Sequence, residues 1–210
     1  MFNKEWKSHL KEIKSDANIQ IYCDMDGVIV DFEGGAVEQI NNDLTTPSQV
    51  PKDSTKLFHE LQSKLNDLGR DQQIEIADLT RDPQRHIKEV RRYMYQRLED
   101  NFEFWQNLPW TSDGKELWSS LSEVNPQVKI LTAPMQGEGS RNGKIAWVQK
   151  NLGKQYDVIL EEDKWKHAAF DRLLIDDTFE KVRDWSNKNG VVIHHINAGD
   201  MLAKLEELLK

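Results

Sequence analysis

Cysteine is nearly absent from this 210-residue chain, where Cys23 stands alone. A single thiol excludes an internal disulfide framework and suits a reducing compartment. Long apolar runs are missing too, and nothing approaches the roughly 18 apolar residues of a membrane-spanning helix. The opening MFNKEWKSHLKEIKSD is amphipathic but lacks the uninterrupted apolar segment of a signal peptide or anchor. Positive charge is in deficit. A formal net charge of -8 argues against broad, sequence-independent binding to nucleic acid, although a local basic patch can still hold a phosphate. There is no internal repeat and no low-complexity tract. These absences predict a cytoplasmic chain that does not enter membranes. With 38% hydrophobic and 30% charged residues, its length supports one good core with room for a small appended subdomain.

What is present is organised around residues 19–32, IQIYCDMDGVIVDF. Ile19, Ile21 and Cys23 alternate with Gln20 and Tyr22, so the run predicts a mostly apolar β-strand. It ends in Asp24, Met25, Asp26 and Gly27. Two carboxylates two residues apart would not converge on one site by simple continuation of the strand, and Gly27 permits the turn that brings them together. A strand whose C-terminal end presents aspartates is where an open parallel sheet keeps its chemistry. The alternatives are an ordinary acidic turn or a calcium loop. An EF-hand loop beginning at Asp24 would need glutamate at its twelfth position, which is Gly35.

Around that stretch, Trp6, Leu10 and Ile13 predict a short N-terminal helix. Gly34 and Gly35 mark a flexible departure, Val37 and Ile40 begin a brief helical segment, and residues 41–54 read as loop with Pro47 and Pro51. Leu57, Leu61 and Leu65 predict a helix ending near Gly69. Pro83 suits a first helical turn, followed by an apolar stripe of Ile87, Val90, Met94 and Leu98. Arg85, Lys88 and Arg92 share another face, either a solvated surface or a basic wall for an anionic substrate. Residues 34–107 thus read as a small helical insert. Residues 1–33 and 108–210 read as an α/β core, with strands at 128–132, 158–160, 173–175 and 191–194 alternating with helices. That alternation predicts a parallel sheet covered by helices on both faces. Right-handed crossovers would gather the strand ends carrying Asp24, Thr132 and Asp177 along one edge.

DMDGVIVDF resembles the first motif of the haloacid-dehalogenase-like phosphohydrolases. Its continuation through Glu33, Gly34 and Gly35 resembles the 5'(3')-deoxyribonucleotidase branch. LTAP at 131–134, KIAW at 144–147 and LLIDD at 173–177 resemble the later motifs in order. The likeness covers the first motif and most of the chain from residue 101, and is weak over residues 37–99. It implies a Rossmann-like fold with a cap inserted after the first catalytic strand. The activity implied is Mg²⁺-dependent phosphomonoester hydrolysis of nucleoside monophosphates.

On that reading Asp24 is the nucleophile, because an ionised carboxylate can form an aspartyl-phosphate that divides a hard hydrolysis into two displacements. Asp24 and Asp177 at two strand ends make a hard oxygen cluster suited to Mg²⁺. The resemblance assigns Asp24, Asp177 and the backbone carbonyl of Asp26 to the metal, and leaves Asp176 to orient ligands. Taken alone, the Asp176–Asp177 pair reads equally as an acidic helix start. Asp26 is the acid–base candidate. The resemblance gives the phosphate to Thr132, Lys144 and Lys164. Without it, Thr132 is a β-branched strand residue, Lys164 a surface lysine, and Lys144 a cation set unfavourably at a helix start. Phe32 reads as core by pattern and as a base-stacking ring by resemblance. Tyr93, Tyr95, Phe104 and Trp105 are further aromatics with no secure counterpart. The competing readings are the same chemistry on another small phosphate ester or on a nucleic-acid terminal phosphate, and a non-enzymatic binding protein. Self-pairing into a homodimer is left open.

Overall fold

The computed structural model of the chain describes residues 19–79 and 86–208. The expected N-terminal helix, Pro83 and Arg85 lie outside the described residues. Contacts divide the chain into two compact units. One comprises Met1–Asp31, Trp110–Pro134 and Val148–Lys210, the other Phe32–Pro109 and Met135–Trp147. The second unit thus joins two separate stretches of the chain.

The first unit is built on five strands: β1 (Gln20–Cys23), β2 (Lys129–Thr132), β3 (Val158–Leu160), β4 (Arg172–Asp176) and β5 (Val191–His194). All pair in parallel in the order β3-β2-β1-β4-β5. Successive residues of a strand face opposite sides of a sheet. Ile21, Tyr22 and Cys23 are all buried, as are Leu173, Leu174 and Ile175, so the central strands are covered on both faces. This is the expected α/β arrangement. The chain begins in the middle strand, runs outward through β2 and β3, then crosses to β4 and β5 on the other side. Its order thus reverses between β1 and β4, and open sheets bind ligands beyond the strand ends at such a reversal. Register makes the junction concrete. Cys23 pairs with Ile175, so Asp24 and Asp176 emerge side by side.

In the second unit, helices Phe32–Thr45, Thr55–Asp67 and Lys88–Leu98 share one apolar core. The stripe of Val90, Met94 and Leu98 is buried as expected. In the Thr55–Asp67 helix, Leu61 and Leu65 are buried as expected, half-buried Leu57 packs against the same core, and Phe58 joins them. The first helix begins at Phe32, runs through Gly34 and Gly35, and continues to Thr45, which corrects both the flexible departure and the loop start at residue 41. Gly35 is there for contact, since a Cβ would press into the Leu108 side chain. Of the basic face, Arg92 pairs with Glu60 at 2.8 Å and Lys88 is exposed.

Candidate active site

The turn after β1 is wound tightly by its own backbone. Asp24 N donates to Ile175 O at 2.9 Å, extending the ladder one residue past the strand. Met25 O then accepts from Ile29 N and Val30 N, while Gly27 N donates to Val30 O. Val28, Ile29 and Val30 are wholly buried, so apolar burial pins the turn from below. Thr111 secures it further, its N donating to Ile29 O and its Oγ1 to Val28 O. Gly27 has φ of 73°, a left-handed conformation that glycine adopts without steric cost. A Cβ at that position would also collide with the Asp177 carboxylate. The turn expected at Gly27 is thus required twice, by backbone angle and by the neighbour above it.

One carboxylate oxygen from each of Asp24, Asp176 and Asp177 lies within 4.8 Å of the other two. Into this cluster comes Lys164, from the short 3-10 turn Lys164–His167. Its Nζ lies 2.8 Å from Asp24 Oδ1 and 2.6 Å from Asp176 Oδ2, and the residue is only 2% exposed. The surface lysine that local pattern suggests is in fact buried at the centre. Met25 N also donates to Asp24 Oδ1 at 2.7 Å, so Oδ2 is the less encumbered oxygen of that carboxylate. Thr178 N donates to Asp176 Oδ1 at 2.9 Å.

Among the described residues of this unit, three carboxylates gather about the Lys164 ammonium, so like charges crowd one another. Burial, with the Asp24 charge next, raises the Asp176 carboxyl to about 6. Asp177 rises to about 7, by burial of its carboxylate first and then by the charges of Asp24 and Asp176. It keeps a solvent-exposed side, so water screens part of both effects. Burial alone would lower the Lys164 ammonium, but its two carboxylate partners outweigh that and hold it above the ordinary lysine range. Hard oxygen donors at close quarters, with protonation favoured by crowding, fit a small divalent cation. Asp24 and Asp177 are the residues that would hold it, with Asp176 committed to Lys164 and Thr178.

Thr132 ends β2, wholly buried, and its carbonyl accepts from Glu161 N at 3.1 Å. Asp26 is half-buried within the Gly27 turn. Phe32 and Lys144 belong to the other unit, where both meet Trp105. The Phe32 ring stacks on the indole at 5.2 Å and 8°, and Lys144 Nζ lies 5.1 Å from the indole centroid. Trp105 Nε1 donates to Leu98 O at 2.6 Å, which fixes the indole. Lys144 is fully buried and lies well inside the helix Glu138–Asn151. The supposed conflict with a helix start therefore disappears. Gly143 precedes it because a Cβ there would collide with Trp105.

Sequence reading missed Trp105 as a hub, and also missed the histidines at the end of β5. His194 Nε2 lies 2.9 Å from Asp177 O, and His195 N donates to Asp176 O. A polar doublet closing the apolar run VVIHH was the available signal.

No protein-family model matches the chain, and no curated protein matches it. Among solved structures, a hydrolase from Streptococcus pneumoniae is 10% identical, covering 91% of this chain and 98% of its own, with a TM-score of 0.47. The HAD-hydrolase YfnB from Bacillus subtilis, bound to magnesium, is 12% identical over 91% and 98%, with a TM-score of 0.44. An L-2-haloacid dehalogenase from Xanthobacter autotrophicus is 12% identical over 82% and 75%, with a TM-score of 0.41. Likeness this distant assigns no activity to the chain. Among the described residues, no helix is long and apolar enough to cross a membrane.

Proposed function

We propose that this chain is a haloacid-dehalogenase-like phosphomonoesterase that removes phosphate from nucleoside monophosphates with the help of Mg²⁺. The observation that carries the reading is the carboxylate triad of Asp24, Asp176 and Asp177, bridged by buried Lys164 where the strand order reverses. The motif resemblance supports the nucleotide and the 5'(3')-deoxyribonucleotidase subtype.

Asp24 Oδ2 attacks phosphorus, the ester P–O bond breaks, and the departing alkoxide takes a proton from Asp26. Asp26 then removes a proton from water as that water attacks the phosphoaspartate. The P–O bond to Asp24 breaks and inorganic phosphate leaves. Lys164 holds Asp24 Oδ1 throughout, which keeps the nucleophile aimed and offsets part of the repulsion against an incoming phosphate. Thr132 and Lys144 are given the phosphate and Phe32 the base on the motif resemblance alone. A divalent cation held by Asp24 and Asp177 would supply electrostatic stabilisation of the phosphoryl oxygens.

The test is a phosphate-release screen with and without Mg²⁺. It spans deoxy- and ribonucleoside monophosphates, sugar phosphates and 5'- or 3'-phosphorylated oligonucleotides. Release from free nucleotides, abolished by chelator, is expected; release from oligonucleotide ends alone would shift the reading to a nucleic-acid phosphatase. Asp26→Asn should lower kcat by about 10²–10⁴-fold while metal binding persists. A pH series with equal kcat in both proteins would remove Asp26 from its role.

A further inference from the structure

Lys164 does its work only if the loop that carries it stays in place, and that loop lies at the rim of the sheet, after edge strand β3. On one side it is held by Glu161 N donating to Thr132 O at 3.1 Å, and by Asp163 N donating to the Glu161 side chain at 2.9 Å. On the other side stands Lys181, in the first turn of the helix Phe179–Ser186 that follows Asp177. A cation there is slightly unfavourable to the helix dipole, and it meets a partner outside the helix. That partner is Glu162. Lys181 Nζ donates to Glu162 O at 2.7 Å and to Glu162 Oε1 at 2.6 Å. The backbone bond matters most, because Glu162 is two residues from Lys164 and its carbonyl cannot swing away as an exposed side chain can.

We propose that Lys181 is a positioning residue that fastens the ammonium-bearing loop to the helix leading from the carboxylate pair. Lys164 and Asp176 are thereby held on segments bolted to each other, and the bridge from Lys164 to Asp24 keeps its 2.8 Å length. The consequence for turnover rests on the phosphatase reading; the mechanical consequence does not. An exposed ion pair adds little to global stability, whereas a small misplacement near reacting groups is costly to rate.

The experiment compares the full chain with Lys181→Met and Glu162→Gln. Amide hydrogen exchange is followed in chelator, and steady-state kinetics are measured with Mg²⁺ and a nucleoside monophosphate. Lys181→Met should speed exchange at Asp163 and Lys164 by about tenfold, with strands β1 and β4 unchanged. It should lower kcat about 5- to 20-fold with a smaller change in KM. Glu162→Gln keeps the carbonyl acceptor and should stay within about twofold of wild type in both readouts. Wild-type exchange and kcat in Lys181→Met would overturn the inference, as would a Glu162→Gln variant that behaves like Lys181→Met. If the wild-type chain releases no phosphate, the phosphatase reading falls, and exchange alone decides the role of Lys181.

Discussion

Each unit buries aspartate, and the two burials differ in charge balance. In the helical unit Asp43 is 1% exposed and accepts from Tyr93 OH at 2.6 Å, Arg97 Nε at 2.9 Å and Gln39 Nε2 at 3.0 Å. One carboxylate meets one guanidinium and two neutral donors, so its lone pairs are satisfied and its charge is matched. In the sheet unit three carboxylates crowd around one ammonium. The first arrangement is complete as it stands and holds helices together. The second, among the described residues of its unit, sets three carboxylates about the Lys164 ammonium, a crowding of like charges that suits a divalent cation.

Replacing the key aspartate in each centre tests that contrast. Asp24→Asn should abolish turnover, with a loss of about 10³-fold or more for a covalent nucleophile. The fold should survive, because Lys164 keeps Asp176 at 2.6 Å. Near-wild-type phosphate release from the purified variant would break the assignment. Asp43→Ala should do the reverse. Stranding Arg97 and Tyr93 in the interior should cost ~3–5 kcal/mol in urea unfolding, and a midpoint unchanged from wild type would show that the network holds nothing.

A smaller effect concerns pH. The folded-state carboxyls of Asp176 and Asp177 lie at about 6 and about 7 against an ordinary 3.8. Between roughly pH 4 and 7 the folded chain therefore binds more protons at these groups than the unfolded chain does. Their contribution to stability is present at low pH and is lost as pH rises through 6 and 7. His195, lowered chiefly by burial, works in the opposite sense, losing stability as pH falls below its ordinary value. The difference between wild type and Asp177→Asn isolates the carboxylate effect. In chelator, thermal midpoints should show the variant gaining on wild type from pH 5 to pH 8, and Mg²⁺ should narrow the gap at pH 8. A gap that stays constant with pH would mean that Asp177 is not crowded.

Local pattern reached further in the strands than in the charged centres. The alternation before Cys23 and the apolar run before Asp176 specified β1 and β4, and with them the strand ends bearing Asp24 and Asp176. The stripe of Val90, Met94 and Leu98 likewise announced its helix, because burial repeats every three or four residues along one face. Chain periodicity reports these features since they involve near neighbours. It could not report that Lys164 is buried, because that depends on the register of β1 against β4 and on where the loop after β3 returns. Nor could it join Asp43 to Tyr93 and Arg97, which lie 50 and 54 residues away. The glycine pair at the start of the Phe32–Thr45 helix misled for the same reason. Gly34 and Gly35 weaken a helix by propensity, and only the contact at Leu108 explains why a small residue belongs there. Sequence determined the strands, the apolar-striped helices and where acidic side chains leave the sheet; tertiary packing alone decided which charges are matched, because charge balance is a property of neighbours brought together from distant parts of the chain.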